Sequence, residues 1–217
     1  MKSFEEIKLI YDEIFKDLNG YGVSLLEKQQ KIGDKYIRDL IYGETPLELL
    51  YALFHLDFIK DYMNKGKVFY DLGSGIGNTV IGSYLIGNFN KCVGVELLDS
   101  LYNIAEIARN RLLLIDNNAK NSVHFIHKNI LDINIGDGDV ILFCCPNKDD
   151  KIRSAMEQKF QTLRPGALVL SLLHVFEDKK HFKLLTSRMV RSAWGETPMM
   201  FYVKISNSPE RDSQNNR

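Results

Sequence analysis

The chain has 217 residues, with 28 Lys+Arg against 28 Asp+Glu and a formal net charge of zero. This length fits one domain, and a hydrophobic fraction of 45% supplies an ordinary core. The charge balance argues against a general nucleic-acid or membrane-surface binder, although it is compatible with a local basic patch. Cys92, Cys144 and Cys145 have neither disulfide-framework nor zinc spacing and point to a reducing, intracellular compartment. The first residues carry no signal-peptide pattern, and no apolar run is long enough to span a bilayer.

In chain order, apolar residues at Phe4, Ile7, Ile10, Tyr11, Ile14, Phe15 and Leu18 predict a helix, stopped by Asn19-Gly20. A second helix is expected from about 24 to 41. Tyr42-Gly43-Glu44-Thr45-Pro46 breaks the pattern, and Pro46 can open a third helix running to about Asn64. From Val68 the period changes. Val68–Asp71, Cys92–Glu96, Val123–His127, Val140–Cys144 and Ala167–Leu172 read as buried parallel strands. Helical stretches such as Ser100–Ile115 and Asp150–Leu163 separate most of them. Ser187–Ala193 and Met199–Ile205 flank Trp194–Pro198 and predict a terminal hairpin. The fold class is therefore α/β: a three-layer, Rossmann-like sheet of seven strands, with an N-terminal helical extension and a C-terminal antiparallel hairpin. The polar tail 206–217 is expected to be disordered.

The sharpest motif is Phe69–Asn78, which reads Phe-Tyr-Asp-Leu-Gly-Ser-Gly-Ile-Gly-Asn, followed by Val93–Glu96. An apolar strand ends in Asp71. Gly73, Gly75 and Gly77 let the backbone approach a ligand, and the helix opening near Asn78 offers free N–H groups to a carboxylate. The next strand ends in Glu96, whose carboxylate can accept from two ribose hydroxyls. Asp71 can pair with a ligand amino group. Asn129, after the third strand, can meet an adenine amino edge, and Ile130 can supply apolar contact to the ring. The Gly-x-Gly-x-Gly spacing leans away from a dinucleotide. With the terminal hairpin, it points to a methyltransferase using S-adenosylmethionine (AdoMet). The five histidines are scattered, and no metal site is expected.

Tyr42-Gly43-Glu44-Thr45, then Phe69–Asn78, Gly94-Val95-Glu96 and Trp194-x-x-x-Pro198 resemble, in order, the catalytic domain of the Disruptor of telomeric silencing family. These are histone lysine methyltransferases on a seven-strand AdoMet fold. The likeness covers about residues 36–205. It implies that Tyr42, Glu44 and Thr45 belong to a loop closing over the methionine end of AdoMet, with Glu44 on the α-amino group and Thr45 on the carboxylate. Taken alone, the tetrapeptide favours Thr45 as a cap for the helix beginning at Pro46; with the later motifs present the cofactor role is the expectation. The expected division is a helical extension over 1–64, including the lid loop 42–46, and a methyltransferase core over 65–205.

The recipient side departs from that family. Its Asn-Asn-Phe-x-Phe segment aligns with Cys144-Cys145-Pro146-Asn147-Lys148, and its hairpin tyrosine aligns with Phe201, beside Tyr202. Cys144, Pro146, Trp194, Phe201 and Tyr202 are the candidate lining of the acceptor pocket. The expectation is methylation of a protein lysine. A nucleic-acid or small-molecule methyltransferase with the same donor site, and an AdoMet-binding module without turnover, are the alternatives.

Overall fold

The computed structural model describes residues 2–31, 41–62, 66–87, 89–144, 150–192 and 195–205. Helix α1 (Phe4–Phe15) begins with a capping box: Glu6 N–H donates to Ser3 Oγ, and Ser3 N–H donates to Glu6 Oε2. Helix α2 (Gly20–Gln30) starts earlier than expected. Asn19, read from sequence as a stop, is its N-cap, accepting from Gly22 N–H at 3.1 Å. Helix α3 (Leu47–Phe54) gives way to a 3-10 turn over Asp57–Tyr62, so the third helix is shorter than its apolar pattern suggested.

The core alternates strand and helix: β1 (Val68–Leu72), α4 (Asn78–Ile86), β2 (Lys91–Glu96), α5 (Asp99–Ile115), β3 (Val123–His127), β4 (Val140–Cys144), α6 (Asp150–Phe160) and β5 (Leu168–Leu172). The terminal hairpin is β6 (Phe182–Ser192) and β7 (Gly195–Lys204). Sheet order is β3-β2-β1-β4-β5-β7-β6; β1 to β5 pair in parallel, and β7 enters antiparallel between β5 and β6. The hairpin differs from expectation in two ways. Strand β6 begins five residues before Ser187, and β7 begins at Gly195, leaving Pro198 inside the strand opposite Met189. Much of β6 is solvent-facing at the sheet edge, so its early half lacks the apolar run that marks a buried strand.

Strand alternation splits the core into two faces. Phe69, Val140, Leu142, Leu170 and Phe201 pack with Ile14 of α1, Leu50 and Leu53 of α3 and Val80 of α4. Tyr70, Val93, Phe143, Val169 and Tyr202 pack with Met156 and Phe160 of α6. Going outward from β1, the chain order runs one way through β2 and β3 and the other way through β4 and β5. The carboxyl ends of β1 and β4 therefore border the switch-point crevice where ligands bind in open α/β sheets. Among the described residues, no helix is long and apolar enough to cross a membrane.

Candidate active site

The site grows from the end of β1. Gly73, Gly75 and Gly77 have φ of +93°, +55° and +87°, which folds the turn back under α4. At Gly77 a Cβ would also lie 2.4 Å from the Phe125 ring, so backbone and packing both demand glycine there. The turn is tied to β2: Gly73 and Ser74 N–H donate to Val95 O, and Gly75 N–H donates to Glu96 Oε2 at 2.9 Å.

Glu96 is 7% exposed, and its Oε1 accepts from Leu97 and Leu98 N–H at 2.8 and 2.7 Å. Three backbone donors thus fix its orientation. Asp71, at 5% exposure, accepts from Thr79 Oγ1. Burial pushes both carboxyls above the ordinary range; the charge of Glu96 pushes Asp71 further, while the backbone bonds pull Glu96 partly back. Two buried carboxylates side by side favour a cationic ligand.

Helix α2 braces this edge. No side chain of its own caps α5; instead Glu27 reaches across, accepting from Asp99 N–H at 3.2 Å and Ser100 N–H at 2.8 Å. Burial opposes the charge of Glu27, but Lys31 at 2.6 Å and the Ser100 bond outweigh it and hold its carboxyl down at about 2.

The segment Tyr42–Thr45 lies over the turn. The Tyr42 ring rests on Gly75, where a Cβ would meet it at 2.5 Å, and its hydroxyl donates to Glu44 Oε1 at 2.6 Å. Beneath it is a cavity of about 30 Å³ bordered by Glu44, Thr45, Asp71, Asn78, Leu142 and Cys144. That is room for about one water. Pro46 is the N-cap of α3, with no side-chain cap bond, which removes the capping role read for Thr45.

The sequence-selected residues Tyr42, Glu44, Thr45, Asp71, Gly73, Gly75, Gly77, Asn78 and Glu96 are thus brought to one edge. Asn129 and Ile130 stand apart from the small cavity, after β3. Asn129 Oδ1 accepts from Leu131 N–H at 2.9 Å and caps a short 3-10 turn, and Ile130 is half-buried against the core. On the acceptor side, Cys144 borders the cavity, while Pro146 and Trp194 lie outside the described residues.

Phe201 and Tyr202 do not form a common wall, because neighbouring residues on a strand point to opposite faces. Phe201 is fully buried against Phe58, whereas Tyr202 stacks on Phe176 and its oxygen accepts from Phe176 N–H at 3.1 Å. Both side chains are committed to the core. Sequence reading missed Thr79, whose hydroxyl follows Asn78 in the first turn of α4, and Leu142. A hydroxyl residue one turn into the helix after a glycine motif is a readable signal for the former.

The strand–turn–helix cradle, the paired carboxyls and the seven-strand order define an AdoMet-dependent methyltransferase of the Rossmann-like class. A carboxyl fixed at the end of β2 can accept from a hydroxyl-bearing ligand, and the buried carboxyl pair suits a cationic one. Residues 21–193 match the family described as Histone methylation protein DOT1, and the chain belongs to that family. No curated protein matches the chain significantly. Among solved structures, it is similar to an RNA methyltransferase from Salinibacter ruber in complex with S-adenosyl-L-homocysteine. That pair has 21% identity and a TM-score of 0.57, covering 77% of this chain and 97% of that one. It is also similar to the B. subtilis tRNA methyltransferase TrmK, at 13% identity and a TM-score of 0.54, covering 77% and 68%. At these identities the likeness concerns the fold.

Proposed function

We propose that this AdoMet-dependent methyltransferase acts on a protein side-chain amine, that of lysine. The observation that carries the reading is membership of the DOT1 family over residues 21–193, a span that includes the Tyr42–Thr45 lid lying on the glycine turn. Cys92 is a buried thiol, which fits work in a reducing, intracellular compartment.

When bound, the cofactor supplies a methyl group activated by its sulfonium. Glu96 would hold the ribose hydroxyls, Asp71 and Glu44 would take the amino group, and Thr45 and the first turn of α4 would take the carboxylate, so that these residues together would orient the cofactor. The chemistry the cofactor would supply is in-line donation of that methyl to an amine lone pair, which would leave a neutral thioether and a proton to pass to solvent. The amine must arrive neutral, and an apolar, water-poor approach would favour that form.

The test is incubation of purified protein with methyl-labelled AdoMet and, separately, histones, whole-cell protein extract, RNA and small metabolites. Label in protein, mapped to lysine, is expected. Label only in RNA or small molecules would sink the lysine assignment. A nucleic-acid or small-molecule acceptor is the second reading, favoured by Cys144–Lys148 standing where the family has Asn-Asn-Phe-x-Phe.

A further inference from the structure

Helix α1 precedes the family match, which begins at residue 21, yet it is built into the site. Arg111 of α5 donates to Ile14 O at 2.8 Å and Lys16 O at 2.6 Å, fastening the end of α1. Lys8 pairs with Glu48 of α3 at 3.0 Å, and Ile7 and Ile14 are buried. This seat holds Tyr11 at 9% exposure, its ring against Phe15 at 4.6 Å. Gly82, one turn after Asn78 on α4, leaves space for the neighbouring Leu50: a Cβ there would lie 2.9 Å from Leu50 and at ordinary contact, 3.7 Å, from the Tyr11 ring.

The Tyr11 hydroxyl accepts from Asn78 Nδ2 at 3.0 Å, a bond between residues 67 apart in sequence. Asn78 is the first residue of α4, and it borders both the small cavity beneath Tyr42 and a larger one of about 820 Å³. Tyr11, Glu44 and Thr45 border the larger cavity as well. An amide nitrogen carries two protons. One is engaged by Tyr11, which fixes the plane of the amide and leaves the other to be aimed. An untethered asparagine at a helix start is instead free to turn back on nearby backbone. Burial pushes the Tyr11 phenol far above its ordinary range, so it stays neutral and keeps this role across the physiological pH range.

We propose that Tyr11 is a positioning residue for cofactor recognition: through Asn78 it directs an amide N–H to the carboxylate of the methionine end of AdoMet. The proposal rests on the reading of Asn78 as part of the donor site, and it makes a helix outside the family match a working part of that site.

The test compares two ligands by calorimetry. S-adenosylhomocysteine has the amino-acid end, whereas 5′-methylthioadenosine keeps the nucleoside and sulfur but lacks it. Tyr11→Phe keeps the ring and removes the bond. It is expected to weaken S-adenosylhomocysteine about 5- to 10-fold, as loss of one hydrogen bond allows, and to leave 5′-methylthioadenosine unchanged. Added to Asn78→Ala, it should cost nothing further, because the two act as one unit.

Equal weakening of both ligands would make Tyr11 merely structural and overturn the proposal, as would no weakening of either. If Tyr11→Phe melts early, Asn78→Ala supplies the same ligand comparison, and equal loss there overturns the proposal too. Wild-type protein that binds neither ligand would overturn the donor-site reading itself.

Discussion

The two halves of the carboxyl edge are built differently. At β1 and β2, the strand-end carboxylate and the glycine turn are held by backbone: Glu96 by three N–H donors, and the turn by Val95 O. At β4, β5 and the hairpin, the edge is made by side chains from separate segments. Beyond β5 it ends in Leu173, a leucine at φ +66° and 38% exposed, followed by Val175 at 64%. Backbone geometry repeats wherever a strand, a glycine turn and a helix follow one another. A pocket made of side chains does not, so the donor can be read where the recipient is only proposed.

The largest expected effect tests the donor half. Glu96→Ala removes both carboxylate oxygens proposed for the ribose and the ties to Gly75, Leu97 and Leu98. With hydrogen bonds to a charged group worth about 1.5–3 kcal/mol each, AdoMet affinity should fall about 100-fold or more by calorimetry. Asp71→Asn should fall short of that, since Thr79 can still bond the amide. Unchanged affinity in both would dissolve the contrast between the halves.

The raised carboxyls add a pH signature. A raised folded-state value means that their stabilising contribution to the ligand-free protein is present below the ordinary carboxyl range and lost as pH rises through the raised values. A cationic ligand favours ionisation. Binding should therefore release protons, and affinity should rise with pH through this range. Calorimetry in buffers of different ionisation enthalpy reads the proton count.

Next in size is the turn. Gly77→Ala adds a Cβ at φ +87° against Phe125 and should cost about 2–3 kcal/mol in urea unfolding. A cost near zero would mean that the turn is not the rigid element described.

The asymmetry also explains what the sequence made legible. Asp71, the three glycines and Glu96 sit within one strand–turn–helix–strand unit, so their spacing along the chain almost determines their spacing in space. β3 and β4 likewise match expectation end to end; β4 is a short buried apolar run, whereas β3 is fully buried only at Val123. Tyr11 meets Asn78 across 67 residues, and Glu27 meets Asp99 across 72, so no local pattern announces either pair. Phe201 and Tyr202 take opposite faces of the sheet for the same kind of reason. Their aromatic chemistry is visible in the sequence, but the faces they take follow from where β7 enters the sheet.

Glu27 offers a smaller test of how far the backbone-held half extends. Glu27→Gln keeps the shape but loses the charge on the α5 N-terminus and the Lys31 pair, and should cost about 1–2 kcal/mol. Its folded-state value lies below the ordinary carboxyl value of 4.5, so the contribution is present above 4.5 and lost as pH falls toward about 2. The gap between wild type and variant should therefore close in acid. A gap independent of pH would show that Glu27 acts by packing alone.

The smallest expected effect falls on the other half. Cys144 ends β4 opposite Leu172, half-buried, and borders the small cavity with Asp71 and Leu142. Cys144→Ala leaves every donor-side hydrogen bond described above in place, so AdoMet affinity should stay within about twofold, a change below that of one hydrogen bond. Turnover should shift only a few-fold if the sulfur merely shapes the approach of an amine, since a lysine nitrogen needs no enzyme nucleophile. Complete loss of turnover with intact AdoMet binding would say the opposite. A thiolate would then be attacking the acceptor before methyl transfer. That chemistry belongs to an electrophilic ring rather than to an amine, and it would move the recipient from protein to nucleobase while leaving the donor half untouched.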